Sequence, residues 1–328
     1  MTGRDATHND RGMEPSDDLA CCDGDEGGSD VHVESSAAPT RGIVYLAMGE
    51  RFVAEAAVSA DSARRHLGLP ITLFTDCPSA ARATGRFDEI VELSRSGPRP
   101  HRDKIVAMRR SPYERTLFLD TDTFVGAALD DCWELLDHFD LAVAGDRGYV
   151  DHFPADTGVP ASFKEPNLGV VFYRRCTAVE EMFDEALVLY DDLAAPRPGR
   201  GVVSFYDQPA VRLALFRSAV RFTSLCDEDN CRFANYGKLN GPVRVLHGRL
   251  LRATHNEANL QRVLDRLNTR TVPRVFVAGR VWALWPRRRR FTHEYRAAPM
   301  PSANLVEARM LWSALRAKVG RLFSRRDH

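Results

Sequence analysis

This sequence predicts an α/β fold on a mainly parallel sheet, and three observations lead to it. From Gly42 onward, short β-rich runs alternate with helical patterns, a rhythm that lays helices over both faces of a parallel sheet. The 328 residues are 44% hydrophobic and 27% charged, which excludes collagen-like, coiled-coil and wholly disordered classes. No apolar run approaches the ~20 residues that a membrane-spanning helix needs.

The elements follow in order. Ile43 to Met48 (IVYLAM) reads as a buried strand, Arg51 to His66 as a helix, and Ile71 to Thr75 and Glu89 to Leu93 as two more strands. A helical piece from Lys104 to Arg110 stops at Ser111-Pro112 before the strand Arg115 to Leu119, and a helix near Asp131 to Phe139 precedes a strand at Leu141 to Ala144. The second half is less regular. It holds a Pro/Gly-rich loop from Asp146 to Pro166, a strand at Leu168 to Tyr173 and a helix at Ala178 to Asp191. A loop at Ala194 to Gly201, a helix from Gln208 to Phe216, a strand at Val243 to His247 and a helix from Asn256 to Leu267 complete it. Loops of that length in a compact enzyme are commonly lids or binding loops. Open sheets of this kind carry their ligand chemistry at the carboxyl ends of the strands. No GxGxxG follows the first strand and no GxxxxGK[ST] occurs, so dinucleotide and P-loop classes lack their phosphate-cradling glycines.

The formal net charge is zero, but it is unevenly placed. Residues 1–40 hold ten acidic and two basic side chains with many Gly and Ser, which predicts a disordered acidic tail and no signal peptide. Residues 281–328 hold eleven basic and three acidic side chains. The division expected is a tail over 1–40, a catalytic domain over 41–255 and a helical, basic extension over 256–328. The seven cysteines contain no CxxC pair, and even Cys226 and Cys231 read better as free thiols, so the expected location is cytoplasmic.

The sharpest motif is Thr116 to Val125, TLFLDTDTFV, an apolar run ending in Asp120-Thr121-Asp122. On an extended strand, residues two apart point to the same side, so both carboxylates should converge as the chain leaves the sheet. Two unit charges about 4 Å apart at an effective dielectric near 20 interact by about 4 kcal/mol, and a divalent cation relieves that repulsion. Oxygen donors favour Mn²⁺ or Mg²⁺, which keep open positions for phosphates. Taken alone, an Asp-Thr-Asp turn is equally a capping device at a strand end.

The segment Lys104-Ile-Val-Ala-Met with SPYERTLFLDTDTFV, then EPNLGVVFYRR, Asp207-Gln208 and VRVLHGR, resembles the GT-A nucleotide-sugar glycosyltransferases, and in particular the glycosyltransferase family 8 group of glycogenin and bacterial galactosyltransferases. The likeness covers about residues 42 to 250. It implies a GT-A domain with a Rossmann-like sheet, transfer of a hexose from a nucleotide diphosphate sugar (a UDP-sugar favoured) to an acceptor hydroxyl, and retention of anomeric configuration. It implies Asp120, Asp122 and His247 as ligands of Mn²⁺, with Thr121 between the two carboxylates. Lys104 would lie by the nucleotide and phosphates, Asn167 and Gly169 by the donor sugar, and Asp207 and Gln208 beside the anomeric carbon as the catalytic pair. Where the family has a lysine after the metal histidine, this chain has Gly248-Arg249, so Arg249 or Arg252 would supply the cation that clamps the diphosphate. Asp146, Asp151 and His152 are candidate bases only through their place on the long loop.

Two other classes share part of the pattern. Haloacid dehalogenase-like phosphatases also carry DxD after an apolar strand, and AGDRGYVD (Ala144 to Asp151) loosely resembles their magnesium motif. Phe124 stands where they need Thr or Val, and 23 residues between Asp122 and Asp146 leave no room for their cap. A non-catalytic module that binds nucleotide sugar is the third reading. In the basic tail, Leu305, Ala308, Trp312, Leu315, Val319 and Leu322 recur at helical spacing among arginines. That pattern over 303–326 suits either peripheral contact with an anionic inner membrane surface, and hence a lipid-linked acceptor beside glycan or protein ones, or a helix packed on the domain. Nucleic acid is not an expected partner, because the neutral middle offers no basic stripe.

Overall fold

The computed structural model describes residues 41–97, 100–146, 158–195, 206–250, 255–269, 273–277, 280–288 and 293–299. The acidic tail, Asp151, His152, Arg252 and the segment 303–326 lie outside the described residues.

The chain runs β1 (Arg41–Ala47), α1 (Glu50–Leu67), β2 (Ile71–Thr75), α2 (Pro78–Thr84), β3 (Glu89–Glu92), α3 (His101–Arg109), β4 (Arg115–Leu119), β5 (Thr123–Val125), α4 (Asp130–His138) and β6 (Leu141–Gly145). It continues through β7 (Pro166–Arg174), α5 (Thr177–Ala194), α6 (Asp207–Arg217), β8 (Phe222–Thr223), β9 (Tyr236–Leu239), β10 (Val245–His247), α7 (Glu257–Asn268), β11 (Arg274–Val277), β12 (Arg280–Arg288) and β13 (His293–Pro299). Seven strands form the main sheet in the order β3-β2-β1-β4-β7-β6-β8. All neighbours are parallel except β7, which runs antiparallel to both β4 and β6.

Strand alternation sorts the core into two faces. Val44, Phe118 and Val171 point to one side, where they pack with Ile105 of α3, Phe183 of α5 and Ala210 of α6. Ile43, Tyr45, Leu117, Leu119, Val170 and Phe172 point to the other, against Val53 and Ala60 of α1, Ala81 of α2 and Trp133 of α4. The expected three-layer α/β arrangement is therefore present.

A third core lies beyond the end of β4. There Phe124 and Leu246 of the β5–β10 pair pack with Leu260, Leu264 and Leu267 of α7 and Phe276 of β11. The segment 256–328, expected to be helical, begins with α7 but then forms β11–β13, which extend β9 into a four-stranded antiparallel sheet. The physical reason is legible in Arg274–Val277 and Val281–Leu284, where buried residues alternate with less buried ones at a period of two in β-branched and aromatic sequence. Because Leu260 and Phe276 share a core with Phe124 and Leu246, the described part of this segment is built into the same compact unit as the main sheet.

Candidate metal centre

Strand β4 ends at Leu119, and the next three residues form a tight turn closed by Thr123 N–H donating to the Asp120 carbonyl at 3.2 Å. Both carboxylates reach the same point, as expected. The turn brings them together, though, where strand alternation had been the expected means. Thr123 Oγ1 also donates to the Asp120 carbonyl, at 2.8 Å, and shares a 2.7 Å hydrogen bond with Ser59 Oγ of α1. The amide of Val125 donates to Ser62 Oγ at 2.9 Å. Two small hydroxyls on the buried face of α1 thus fix β5 and the turn before it.

Strand β10 pairs antiparallel with β5 and sets His247 opposite Thr123. His247 Nε2 lies 3.6 Å from Asp120 Oδ2 and 3.7 Å from Asp122 Oδ1. Asp120, Asp122 and His247 each offer one ligand atom within 4.8 Å of the others, and no other such group occurs among the described residues. The expected ligand set is assembled from two segments 125 residues apart in sequence. Gly248, with φ at 119°, turns the chain away directly after His247, a conformation that only glycine adopts readily.

Lys104 of α3 has its Nζ 2.7 Å from Asp120 Oδ1 and 3.4 Å from Asp207 Oδ2, and it stacks over the Phe118 ring. Burial alone would push the Asp120 carboxyl up, but the Lys104 ammonium and His247 outweigh it and hold it well below the usual carboxylate range. Asp207, at the first turn of α6, is likewise opposed by burial yet held low by Lys104 and His101, whose Nδ1 lies 3.3 Å away. Lys104 in turn overcomes its own burial through Asp120 and Asp207 and has its pKa raised. Asp207 Oδ2 is a buried oxygen with no hydrogen bond; its 3.4 Å contact with Lys104 is an ion pair.

The Arg249 guanidinium does reach the site. It donates to both carboxylate oxygens of Glu55 at 2.7 and 3.0 Å, lies 3.4 Å from Asp122 Oδ2 and covers the Phe52 ring. Thr121 donates to Glu55 Oε1 at 2.6 Å and accepts from Arg249 at 3.4 Å.

Asn167, Gly169 and Gln208 lie next to Asp146 and His247. The Gly169 amide donates to Asn167 Oδ1 at 3.3 Å, while Asn167 Nδ2 donates to Asp146 at 3.1 Å and its oxygen also accepts from Asn230 at 2.9 Å. A β-carbon on Gly169 would fall 1.9 Å from His247 Cε1, so the space over this glycine is filled by the imidazole. Gln208 donates to Asp146 Oδ2 at 2.5 Å and to the Pro166 carbonyl. Asp146, on the loop as expected, is the hub of these amides and of Arg232, whose guanidinium donates to it at 2.7 Å.

Glu55, Asn230, Arg232 and His101 escaped the sequence reading. Glu55 left one faint signal, a carboxylate on the buried face of α1 between Val53, Ala56 and Ser59. Asn230 lies in an irregular stretch with no periodicity to mark it.

The donor chemistry fits a divalent cation. Two carboxylate oxygens and an imidazole nitrogen suit Mn²⁺ or Mg²⁺, and the formal charges, with histidines counted as neutral, leave an excess: Glu55, Asp120, Asp122 and Asp207 stand against the two positive charges of Lys104 and Arg249.

No protein-family model and no curated protein matches the chain. The fold is similar to solved glycosyltransferases. One is the galactosyltransferase LgtC in complex with donor and acceptor sugar analogs, at 14% identity and TM-score 0.44 over 64% of this chain and 88% of that one. Another is the glycosyltransferase GlyE of Streptococcus pneumoniae TIGR4, at 20% identity and TM-score 0.42 over 60% of this chain and 47% of that one. Mouse xyloside xylosyltransferase 1 gives 14% identity and TM-score 0.42, covering 64% of this chain and 97% of that one.

Proposed function

We propose that the protein is a metal-dependent glycosyltransferase that moves a hexose from a nucleotide diphosphate sugar, a UDP-sugar by preference, to an acceptor hydroxyl. The observation that carries this proposal is the convergence of Asp120, Asp122 and His247 in a cluster whose formal charge is two units too negative for its own cations. When bound there, a divalent cation supplies the Lewis acid that offsets charge growing on the departing diphosphate.

The chain's own groups do the rest. Arg249, held flat by Glu55 with its side chain 44% exposed, is placed to take a phosphate oxygen. Asp207 presents a carboxylate kept ionised by Lys104 and His101, suited to stabilise the cationic sugar ring on its reacting face. Retention of configuration is part of the proposal and rests on the sequence resemblance. Gln208 enters through its bond to Asp146, which shapes the wall beside Asp207. Acceptors on glycans, proteins or lipids remain within the proposal. No helix among the described residues is long and apolar enough to cross a membrane.

The phosphatase alternative needs Asp146 at the metal, and Asp146 is instead bonded to Asn167, Gln208 and Arg232. The test is release of free nucleotide diphosphate from a panel of nucleotide sugars, with and without Mn²⁺, beside p-nitrophenyl phosphate hydrolysis. Mn²⁺-dependent release that Asp122→Asn abolishes supports transfer chemistry. Hydrolysis of p-nitrophenyl phosphate alone would replace it with the phosphatase, and nucleotide-sugar binding without turnover would leave a non-catalytic module.

A further inference from the structure

A chain of side-chain amides runs from Asp146 to the back of the His247 ring, and its direction is fixed by chemistry at one end. A carboxylate only accepts hydrogen bonds. Asp146 Oδ2, 3.1 Å from Asn167, therefore requires the amide nitrogen of Asn167 to face it, and the Asn167 oxygen must point the other way. An independent donor confirms that orientation, because the Gly169 backbone N–H, which cannot flip, reaches Asn167 Oδ1 at 3.3 Å. With an oxygen in front of it, Asn230 must present its own nitrogen, at 2.9 Å, and turn its oxygen toward His247. That oxygen lies 2.8 Å from His247 Nδ1. An amide oxygen has no hydrogen to give, so the ring must donate.

We infer that Asp146, Asn167 and Asn230 form a one-way hydrogen-bond relay that keeps a proton on His247 Nδ1 and leaves Nε2 as the ring nitrogen facing Asp120 and Asp122. Asp146 is the polarity anchor, and Arg232 and Gln208, which both donate to it, keep it in place. Asn230, itself 6% exposed, is the positioning residue: it touches neither carboxylate and acts through the imidazole. Gly169 completes the arrangement by leaving room for the ring. The consequence for metal affinity rests on the proposed function. The tautomer itself does not.

The experiment separates the two. Two-bond ¹H–¹⁵N spectra of metal-free protein carrying ¹⁵N-histidine, near pH 8, with His247→Gln for assignment, show which ring nitrogen bears the proton. The relay predicts Nδ1–H for His247 in the wild type, a shift toward Nε2–H in Asn230→Ala, and retention of Nδ1–H in Asn230→Asp, whose carboxylate still accepts. Mn²⁺ titrated by electron paramagnetic resonance should bind about 10–100-fold more weakly to Asn230→Ala and within a few-fold of wild type to Asn230→Asp. A purely packing role for Asn230 would damage both variants alike. Should Asn230→Ala fail to fold, the wild-type tautomer and Asn230→Asp still decide. An Nε2–H ring in the wild type overturns the relay. The expected tautomer in a protein that binds no Mn²⁺ upholds the relay and removes the proposed function instead.

Discussion

A methyl group on Gly169 would collide with the His247 ring, which is boxed in by Asn230 and cannot swing aside like the end of a long side chain. Gly169→Ala is expected to cost about 1–3 kcal/mol of stability, as overpacked sites do, and to abolish stabilisation by Mn²⁺. Denaturant titration with and without the ion checks both. Glu55, 7% exposed, is held by Arg249 and Thr121. Arg249→Met therefore leaves a buried carboxylate short of its cation, at about 1–3 kcal/mol, and should also raise KM for the donor. A stability loss with unchanged KM would show that Arg249 serves Glu55 alone. Legibility was uneven at this scale. Asp120, Asp122 and His247 announced themselves because apolar runs end on them, whereas the contacts of Asn167 and Gly169 with Asp146, Asn230 and the histidine left no such mark. The NLGVV sequence displays a turn before a strand and cannot display Asn230, 63 residues away, which uses the amide.

The β5–β10 pair is the element on which the cluster depends, and its underside is Phe124, fully buried among Leu246, Leu260 and Leu264. Phe124→Ala should cost about 3–5 kcal/mol and loosen the register that sets His247 against Thr123, weakening Mn²⁺ binding in a folded variant. A variant that folds and binds Mn²⁺ as tightly as wild type would argue that the turn at 120–123 holds the site without its partner strand. On the far side of the sheet, Asp140 at the start of β6 accepts from the Arg221 side chain and amide and from Arg174. The hydrogen bonds from Arg221, against some opposition from burial, hold the Asp140 carboxyl well below its usual range. A depressed carboxyl contributes stability that is complete above the unfolded carboxylate pKa of about 4 and is lost as pH falls through the folded value. Asp140→Asn should thus destabilise the protein near neutrality by about 1 kcal/mol, with exposed arginines limiting the loss, and flatten the acid limb of the stability profile. An acid limb as steep as that of wild type would assign it to other carboxylates. The helices and strands of the main sheet were readable because each buries one face at its own period. The strand β5 was not, being three residues whose pairing partner lies more than a hundred residues onward.

Across the whole molecule, a mainly parallel sheet delivers β4 to one end, and a third, smaller core of β5, β10, α7 and β11 closes over that end to add the histidine. The alternating strand–helix rhythm carried the first part. The reversal of β7 and the four-stranded sheet of β9 with β11–β13 were not foreseen, since strand direction and long-range pairing leave no periodic mark and the arginine-rich composition suggested an extension apart from the domain. Where the third core meets the main sheet lies an anionic cluster that its own cations do not neutralise. The most direct test is thermal unfolding of wild type and Asp122→Asn with Mn²⁺ and UDP, each alone and together. At 100 times its dissociation constant a ligand of the native state adds about 2.7 kcal/mol, so the wild type should gain that stability from the pair while Asp122→Asn gains almost none. Equal shifts in the two proteins, or no shift in the wild type, would contradict Asp120, Asp122 and His247 as the place where a divalent cation and a nucleoside diphosphate would bind together.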